Sequence, residues 1–286
     1  MSERKKVTLF DLMEMKRKGQ KITYITAYTY PQALLADAAG MDMVLVGDSM
    51  YMTELGYPTT MEADMEVMVV HARAVARGCQ RSFVIGDMPY MTFQPSVETA
   101  IRNAGRYMSE GSCDGVKLEG GVEMADRVEA IVKAGIPVMG HLGMTPQSAA
   151  MIGGYKAQAR QASAAKRLMD DARALEEAGA FSILLECVPR RVARLVTERA
   201  TIPILGIGAG PDCDGQILIF HDLFHLCPIV SPKFVKEYAN VWDVILQGLT
   251  RYAEDVRDVR FPEDKHCYHI SDDEYQALLG MLEGGP

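Results

Sequence analysis

SFVIGDM, residues 82–88, is an apolar run that closes on an acid, and its reading decides the fold. A compact run of this kind, without polar alternation, is the pattern of a strand buried on both faces. The same design recurs on either side. Upstream stand KITYITA (21–27) and MVLVGDS (43–49); downstream come GVKLEG (115–120), PVMGHLG (137–143), SILLECV (182–188), PILGIGA (203–209) and QILIFHD (216–222). Longer stretches at helical spacing lie between them. In AAKRLMDDARALEEAGA (164–180), Leu168, Ala172, Leu175 and Ala178 share a helical face, and Gly179 supplies the stop. Eight strand-and-helix units fit between about Lys21 and Leu226. That count predicts an α/β fold of the closed (β/α)8 TIM-barrel type rather than an open doubly wound sheet. Leu9–Lys18 precedes the first strand and is placed as an N-terminal helix capping the barrel floor. The tail from about Lys233 reads as a C-terminal helical extension. No linker interrupts the alternation, so residues 1–286 are read as a single barrel domain.

Composition narrows the partners. Hydrophobic residues make up 48% and charged residues 24%, as in an ordinary globular chain. The formal charge of −8 gives no general attraction to nucleic acid or to anionic membranes, so neither is expected as a partner. No apolar run is long enough to span a bilayer, and MSERKKVTLF lacks the apolar core of a signal peptide. Cys79, Cys113, Cys187, Cys213, Cys227 and Cys267 form no C-x-x-C pair, which removes zinc ribbons and thioredoxin-like motifs. The expectation is a cytoplasmic protein with reduced thiols.

In such barrels the working residues stand at the carboxyl ends of the strands. Here Asp48-Ser49 closes the second run and Asp87 the third; Lys117 and Glu119 lie in the fourth, His141 in the fifth, and Glu186 ends the sixth. Six ionisable groups at one end of five strands point to a site. Asp48 and Asp87 follow neighbouring strands, and two hard carboxylates with open positions suit Mg²⁺ or another divalent cation better than zinc. Helix capping is the alternative for either aspartate. Lys117 and Glu119 have strand spacing and point the same way. They read as a group neutralising a substrate carboxylate and a group holding a metal-bound water, or as a structural salt bridge. Glu186 closes an apolar strand, where burial favours the proton as a general base requires. His141 is a pocket histidine or a hydrogen-bonded core one. Gly206-x-Gly208-x-Gly210 resembles a phosphate-cradling loop without dinucleotide spacing. His221 and His225 have the spacing of metal ligands, but without an acidic third ligand they read as structural or helix-end residues.

With these residues in place, the chain resembles the ketopantoate hydroxymethyltransferase family. The resemblance runs from about Val7 to FPEDKH, through VGDS (46–49), GDMPYM (86–91), VKLEGG (116–121), GIPVMGHLGMTPQS (135–148), LEEAGAFSILLECVP (175–189) and IPILGIGAGPDCDGQILIFHD (202–222). It implies transfer of a hydroxymethyl group from 5,10-methylenetetrahydrofolate to 3-methyl-2-oxobutanoate through an enolate stabilised by Mg²⁺. It also implies metal ligation by Asp48 and Asp87, with Glu119 behind them, and oxo-acid binding by Ser49 and Lys117. His141 falls in the pocket, and Glu186 is the base. A homo-oligomer, a decamer of stacked rings, is implied as well.

The chain departs from the family in three loops. Met50-Tyr51 stands for Leu-Gly, PTTMEAD (58–64) replaces D-S-T-L-P-V-T, and Ala159 replaces a glycine. If the chain stays extended, Tyr51 shares the parity of Ser49 and would wall the oxo-acid pocket; if the loop turns outward, which is the favoured reading, Tyr51 packs on the surface or on a neighbouring subunit. Two alternatives are a paralogue acting on another 2-oxo acid, or with formaldehyde as donor, and a catalytically silent barrel that binds a 2-oxo acid. The phosphoenolpyruvate mutase and isocitrate lyase group is a further comparison, but its K-x-C-G-H loop is absent.

Overall fold

The apolar runs become eight parallel strands, each bonded to its sequence neighbours, with β8 closing onto β1. The computed structural model describes residues 5–153, 156–227 and 232–283. In chain order the elements are α1 (Leu9–Arg17), β1 (Ile22–Thr26), α2 (Tyr30–Ala39), β2 (Met43–Val46), α3 (Met50–Thr53), α4 (Met65–Gly78), β3 (Phe83–Asp87) and α5 (Val97–Ser109). There follow β4 (Gly115–Glu119), α6 (Ala125–Lys133), β5 (Val138–Gly143), α7 (Ala149–Ile152), α8 (Ala162–Glu177), β6 (Ser182–Glu186), α9 (Arg190–Arg199), β7 (Ile204–Ile207), β8 (Gly215–Leu218) and α10 (Phe220–Phe224). A (β/α)8 barrel is what the alternation predicts.

Strand parity sorts each side chain to one of two layers. Met43, Leu45, Phe83, Ile85, Met139, Leu184, Leu205 and Ile217 fill the barrel interior. Val44, Val46, Val84, Val116 and Ile183 face outward and pack with the helices, against residues such as Ala72, Ala104 and Leu175. The helix α1 does cap the floor: Leu12 and Met15 join the interior cluster from below. Its start is fixed by a capping box, in which Thr8 Oγ1 accepts from Asp11 N and the Asp11 carboxylate accepts from Thr8 N.

The chain divides into two compact units, residues 1–238 and 239–286. The second holds α11 (Val241–Arg257) and α12 (Asp272–Glu283). The tail is therefore helical, but helix begins at Val241 rather than near Lys233. Asn240 is its N-cap, accepting from Asp243 N, and the described residues before it, from Pro232, are irregular. Among the described residues no helix is long and apolar enough to cross a membrane, and all six cysteines are free.

Candidate active site

The parity that fills the barrel with Phe83 and Ile85 also delivers Asp87 to its mouth; Met139 is followed in the same way by His141, and Leu184 by Glu186. These side chains line one cavity of about 570 Å³ in the first unit, together with Asp48, Ser49, Lys117 and Glu119. The six ionisable groups and Ser49 thus meet at one place.

Hydrogen bonds fix the inner end of this cavity. Asp87 Oδ2 accepts from Asp48 N at 3.1 Å, and Asp87 Oδ1 lies 2.8 Å from Lys117 Nζ. The Tyr107 hydroxyl donates to the Asp87 carbonyl. Gly86 makes room for this tyrosine, since a Cβ there would stand 2.2 Å from its ring. Lys117 Nζ is also 3.3 Å from His141 Nδ1. An ammonium only donates, so Nδ1 accepts in this contact; Nε2 lies 3.2 Å from Glu186 Oε2 without making a hydrogen bond to it. Burial and then the Lys117 charge lower the His141 pKa, which agrees with a neutral ring. The Tyr28 hydroxyl pairs with Ser49 Oγ at 2.8 Å.

Charge is unbalanced here. Burial pushes the Lys117 ammonium toward losing its proton, but Asp87, Glu119 and Asp48 outweigh it and hold the group above the ordinary lysine range. Burial, then Asp87, raise the Asp48 carboxyl well above its usual range. Burial lifts Glu119 to about 8 against the pull of Lys117. Three carboxylates share one buried ammonium, and the excess negative charge is costly in a site of low polarity. This donor set fits a hard divalent cation. Among the described residues no three His, Cys, Asp or Glu side chains converge as a metal site. Asp48 and Asp87 would then supply two oxygens and leave the rest to water and substrate, a coordination that Mg²⁺ tolerates.

The sequence profile of the ketopantoate hydroxymethyltransferase family matches residues 6–264. The chain belongs to the ketopantoate hydroxymethyltransferase family. It is 50% identical over 266 residues to the 3-methyl-2-oxobutanoate hydroxymethyltransferase of Carboxydothermus hydrogenoformans, covering 93% of this chain and 96% of that one. It is 49% identical over 268 residues to the enzyme of the same name from Moorella thermoacetica, covering 94% and 100%. Among solved structures, 2,3-dimethylmalate lyase, a PEP mutase/isocitrate lyase superfamily member, superposes with a TM-score of 0.58 at 17% identity, over 96% of this chain and 95% of that one. That likeness is one of fold.

Within the family frame, several local expectations change. Tyr51 does not wall the pocket. The chain turns helical at Ser49, so strand parity ends there, and Met52 and Thr53 line the cavity instead. The Tyr51 hydroxyl donates to Asp64 Oδ2 at 2.9 Å and accepts from Asp64 N at 3.1 Å, while its ring lies 5.3 Å from that of Tyr57. Ala159 keeps the left-handed φ of 55° that suits the family's glycine. At the Gly206–Gly210 loop, Phe234 lies on Gly208 and Arg190 on Gly210, each 2.8 Å from where a Cβ would stand. His225 ends α10 in a left-handed cap, a helix-end role as expected, and pairs with Glu237 at 3.1 Å. His221 stacks on Tyr28 at 5.6 Å and approaches Glu54 at 3.4 Å.

Burial also separates the two pocket glutamates. The Glu119 side chain is 3% accessible and that of Glu186 14%, so Glu119 is the more deprived of water of the two. Gln147 escaped the sequence reading entirely, although it touches three parts of the site.

Proposed function

We propose that this chain transfers a hydroxymethyl group from 5,10-methylenetetrahydrofolate to 3-methyl-2-oxobutanoate, giving 2-dehydropantoate in pantothenate biosynthesis. One observation carries the reading: Asp48, Ser49, Asp87, Lys117, Glu119, His141 and Glu186 share a single cavity, in a chain whose half-identical relatives bear that enzyme's name.

The Lys117 ammonium, kept charged by its acidic neighbours, would take the oxo acid's carboxylate. Ser49, oriented by Tyr28, would donate beside it. Asp48 and Asp87 would hold Mg²⁺ or a similar cation, with Glu119 reaching it through water; a Lewis acid there polarises the ketone and acidifies the C3 proton. Glu186 would remove that proton as general base. His141, with Nε2 3.2 Å from Glu186 Oε2, would flank the base. The C3 carbanion, delocalised as the enolate, then adds to the one-carbon unit. In balance, the C3 proton is exchanged for CH2OH, and one water is consumed to free both folate nitrogens.

Exchange of the C3 proton into D2O tests the base. Glu186→Gln should bind oxo acid and metal yet lose exchange by about 10²–10⁴-fold. Exchange at the wild-type rate would move the base elsewhere, with His141 next in line.

A second reading, the same chemistry on another 2-oxo acid or with formaldehyde, is favoured by one observation. Thr60 lines the cavity from the 58–64 loop that departs from the family. Turnover of several 2-oxo acids with each donor separates the two readings.

A further inference from the structure

Gln147 has more polar contacts at this site than any role so far gives it. It sits in a 3-10 turn, Pro146–Ser148, and is 5% exposed. Its Nε2 donates to Asp48 Oδ2 at 2.9 Å and to the Met88 carbonyl at 3.0 Å. Its backbone N–H donates to Glu119 Oε2 at 3.0 Å. Its Oε1 accepts from Gln94 Nε2 at 3.3 Å. One residue from the loop after β5 thereby ties together the carboxyl ends of β2, β3 and β4.

The amide can stand in only one orientation. Turning it over would set Oε1 against two acceptors, Asp48 Oδ2 and the Met88 carbonyl, and Nε2 against the donor of Gln94. Arg127 donates to the Gln94 backbone carbonyl at 3.1 Å and so holds the main chain of that residue. An uncharged donor has a specific advantage between Asp48 and Glu119. It satisfies one oxygen of each without cancelling the negative charge that would attract a cation. A lysine there would compete with the cation, and an apolar residue would leave the Asp48 carboxylate free to rotate, since Glu119 is held by the backbone N–H.

We propose that Gln147 is a positioning residue for the cation. By holding Asp48 Oδ2 it fixes which oxygen is left to bind metal, and by holding Glu119 Oε2 it sets that carboxylate beside the ion. This rests on the reading of Asp48 and Asp87 as metal ligands. Partners that orient metal ligands typically change affinity by about 10–100-fold when removed.

The test is Mn²⁺ binding to the whole protein without substrate, followed by electron paramagnetic resonance of free Mn²⁺, beside the melting temperature of the metal-free protein. Gln147→Met keeps the length of the side chain and loses its donors. It should bind Mn²⁺ about 10–100-fold more weakly, melt near the wild-type temperature without metal, and regain most of its kcat at saturating metal. Asp87→Asn should lose Mn²⁺ binding outright. If Asp87→Asn fails to bind while Gln147→Met binds like wild type, the role of Gln147 is overturned and the metal reading stands. If Asp87→Asn and Asp48→Asn both bind like wild type, the metal reading itself falls. Should Gln147→Met not fold, Gln94→Leu carries the test. It leaves the Gln147 donors in place but removes the one bond to its Oε1 that steadies the amide, so it should weaken Mn²⁺ binding several-fold. Wild-type affinity in that variant would overturn the proposal.

Discussion

The two ends of the barrel use the same strands and the same alternation for opposite purposes. At the amino end the inward positions carry Ile22, Met43 and Phe83, and α1 closes the floor with Leu12 and Met15. At the carboxyl end the inward positions carry Asp87, Lys117, Glu119 and His141, all buried and all polar. Burial of the first set stabilises the fold. Burial of the second set opposes it, because one ammonium stands among three acids and burial favours the protonated form of Asp48 and Glu119. Stability and chemistry are thus separated along each strand by only two to four residues, and substitutions at the two ends should separate in the same way.

The largest effect is expected at the mouth. Asp87→Asn removes a proposed metal ligand and the partner of Lys117. Loss of several kcal/mol of transition-state stabilisation corresponds to about 10³-fold or more in kcat/KM. Steady-state kinetics with a Mg²⁺ titration read it directly. Undiminished turnover and metal affinity would remove Asp87 from the metal site, and with it the contrast between the two ends.

At the floor the signs reverse. Leu12 is fully buried. Leu12→Ala should cost about 2–5 kcal/mol of stability, read by denaturant unfolding, and leave kcat within about twofold. A matching loss of kcat at a temperature where the variant is folded would mean that the floor is coupled to the site.

The pH dependence of the metal-free protein sharpens the comparison. Glu119 has its pKa lifted from 4.5 to about 8 in the fold. Between those values the native state holds a proton that the unfolded chain releases, so stability falls as pH rises through the window and the benefit is gone above it. Relative to Glu119→Gln, metal-free wild type should be about 2 kcal/mol more stable at pH 6 than at pH 8. Saturating Mg²⁺ should flatten the difference, because a cation replaces the proton. Parallel pH profiles for the two metal-free proteins would show that Glu119 is not strained by burial.

The apolar runs and their polar ends were legible in the sequence because both are local. Burial on two faces writes an uninterrupted run, and period-two parity carries a side chain such as Asp87 or His141 to the mouth without reference to any other strand. Gln147 was not legible. Its value lies in reaching Asp48 and Met88, far away in the chain, and nothing in T-P-Q-S announces those partners. The cover that Phe234 gives Gly208 was hidden for the same reason.

Tyr51 marks where the parity rule stops, and the smallest prediction tests it. The rule holds while the backbone is extended, and Met52 N and Thr53 N already donate to the Ser49 carbonyl, so one residue past Asp48 the chain is helical. The ring then swings from the pocket to the loop, where its hydroxyl bridges the side chain and N–H of Asp64, the N-cap of α4. Tyr51→Phe keeps the ring and removes only this bridge. Each of its two hydrogen bonds contributes about 1 kcal/mol, which denaturant unfolding resolves as a shift in midpoint without a change of slope. The ratio of kcat/KM for 3-methyl-2-oxobutanoate and 2-oxobutanoate should stay within about 1.5-fold of wild type, since each methylene of misfit in a pocket is worth roughly 1–3 kcal/mol and no such misfit is relieved here. A tenfold change in that ratio would return Tyr51 to the substrate wall. A fall in stability with the ratio unchanged would establish it as a brace of the α4 cap.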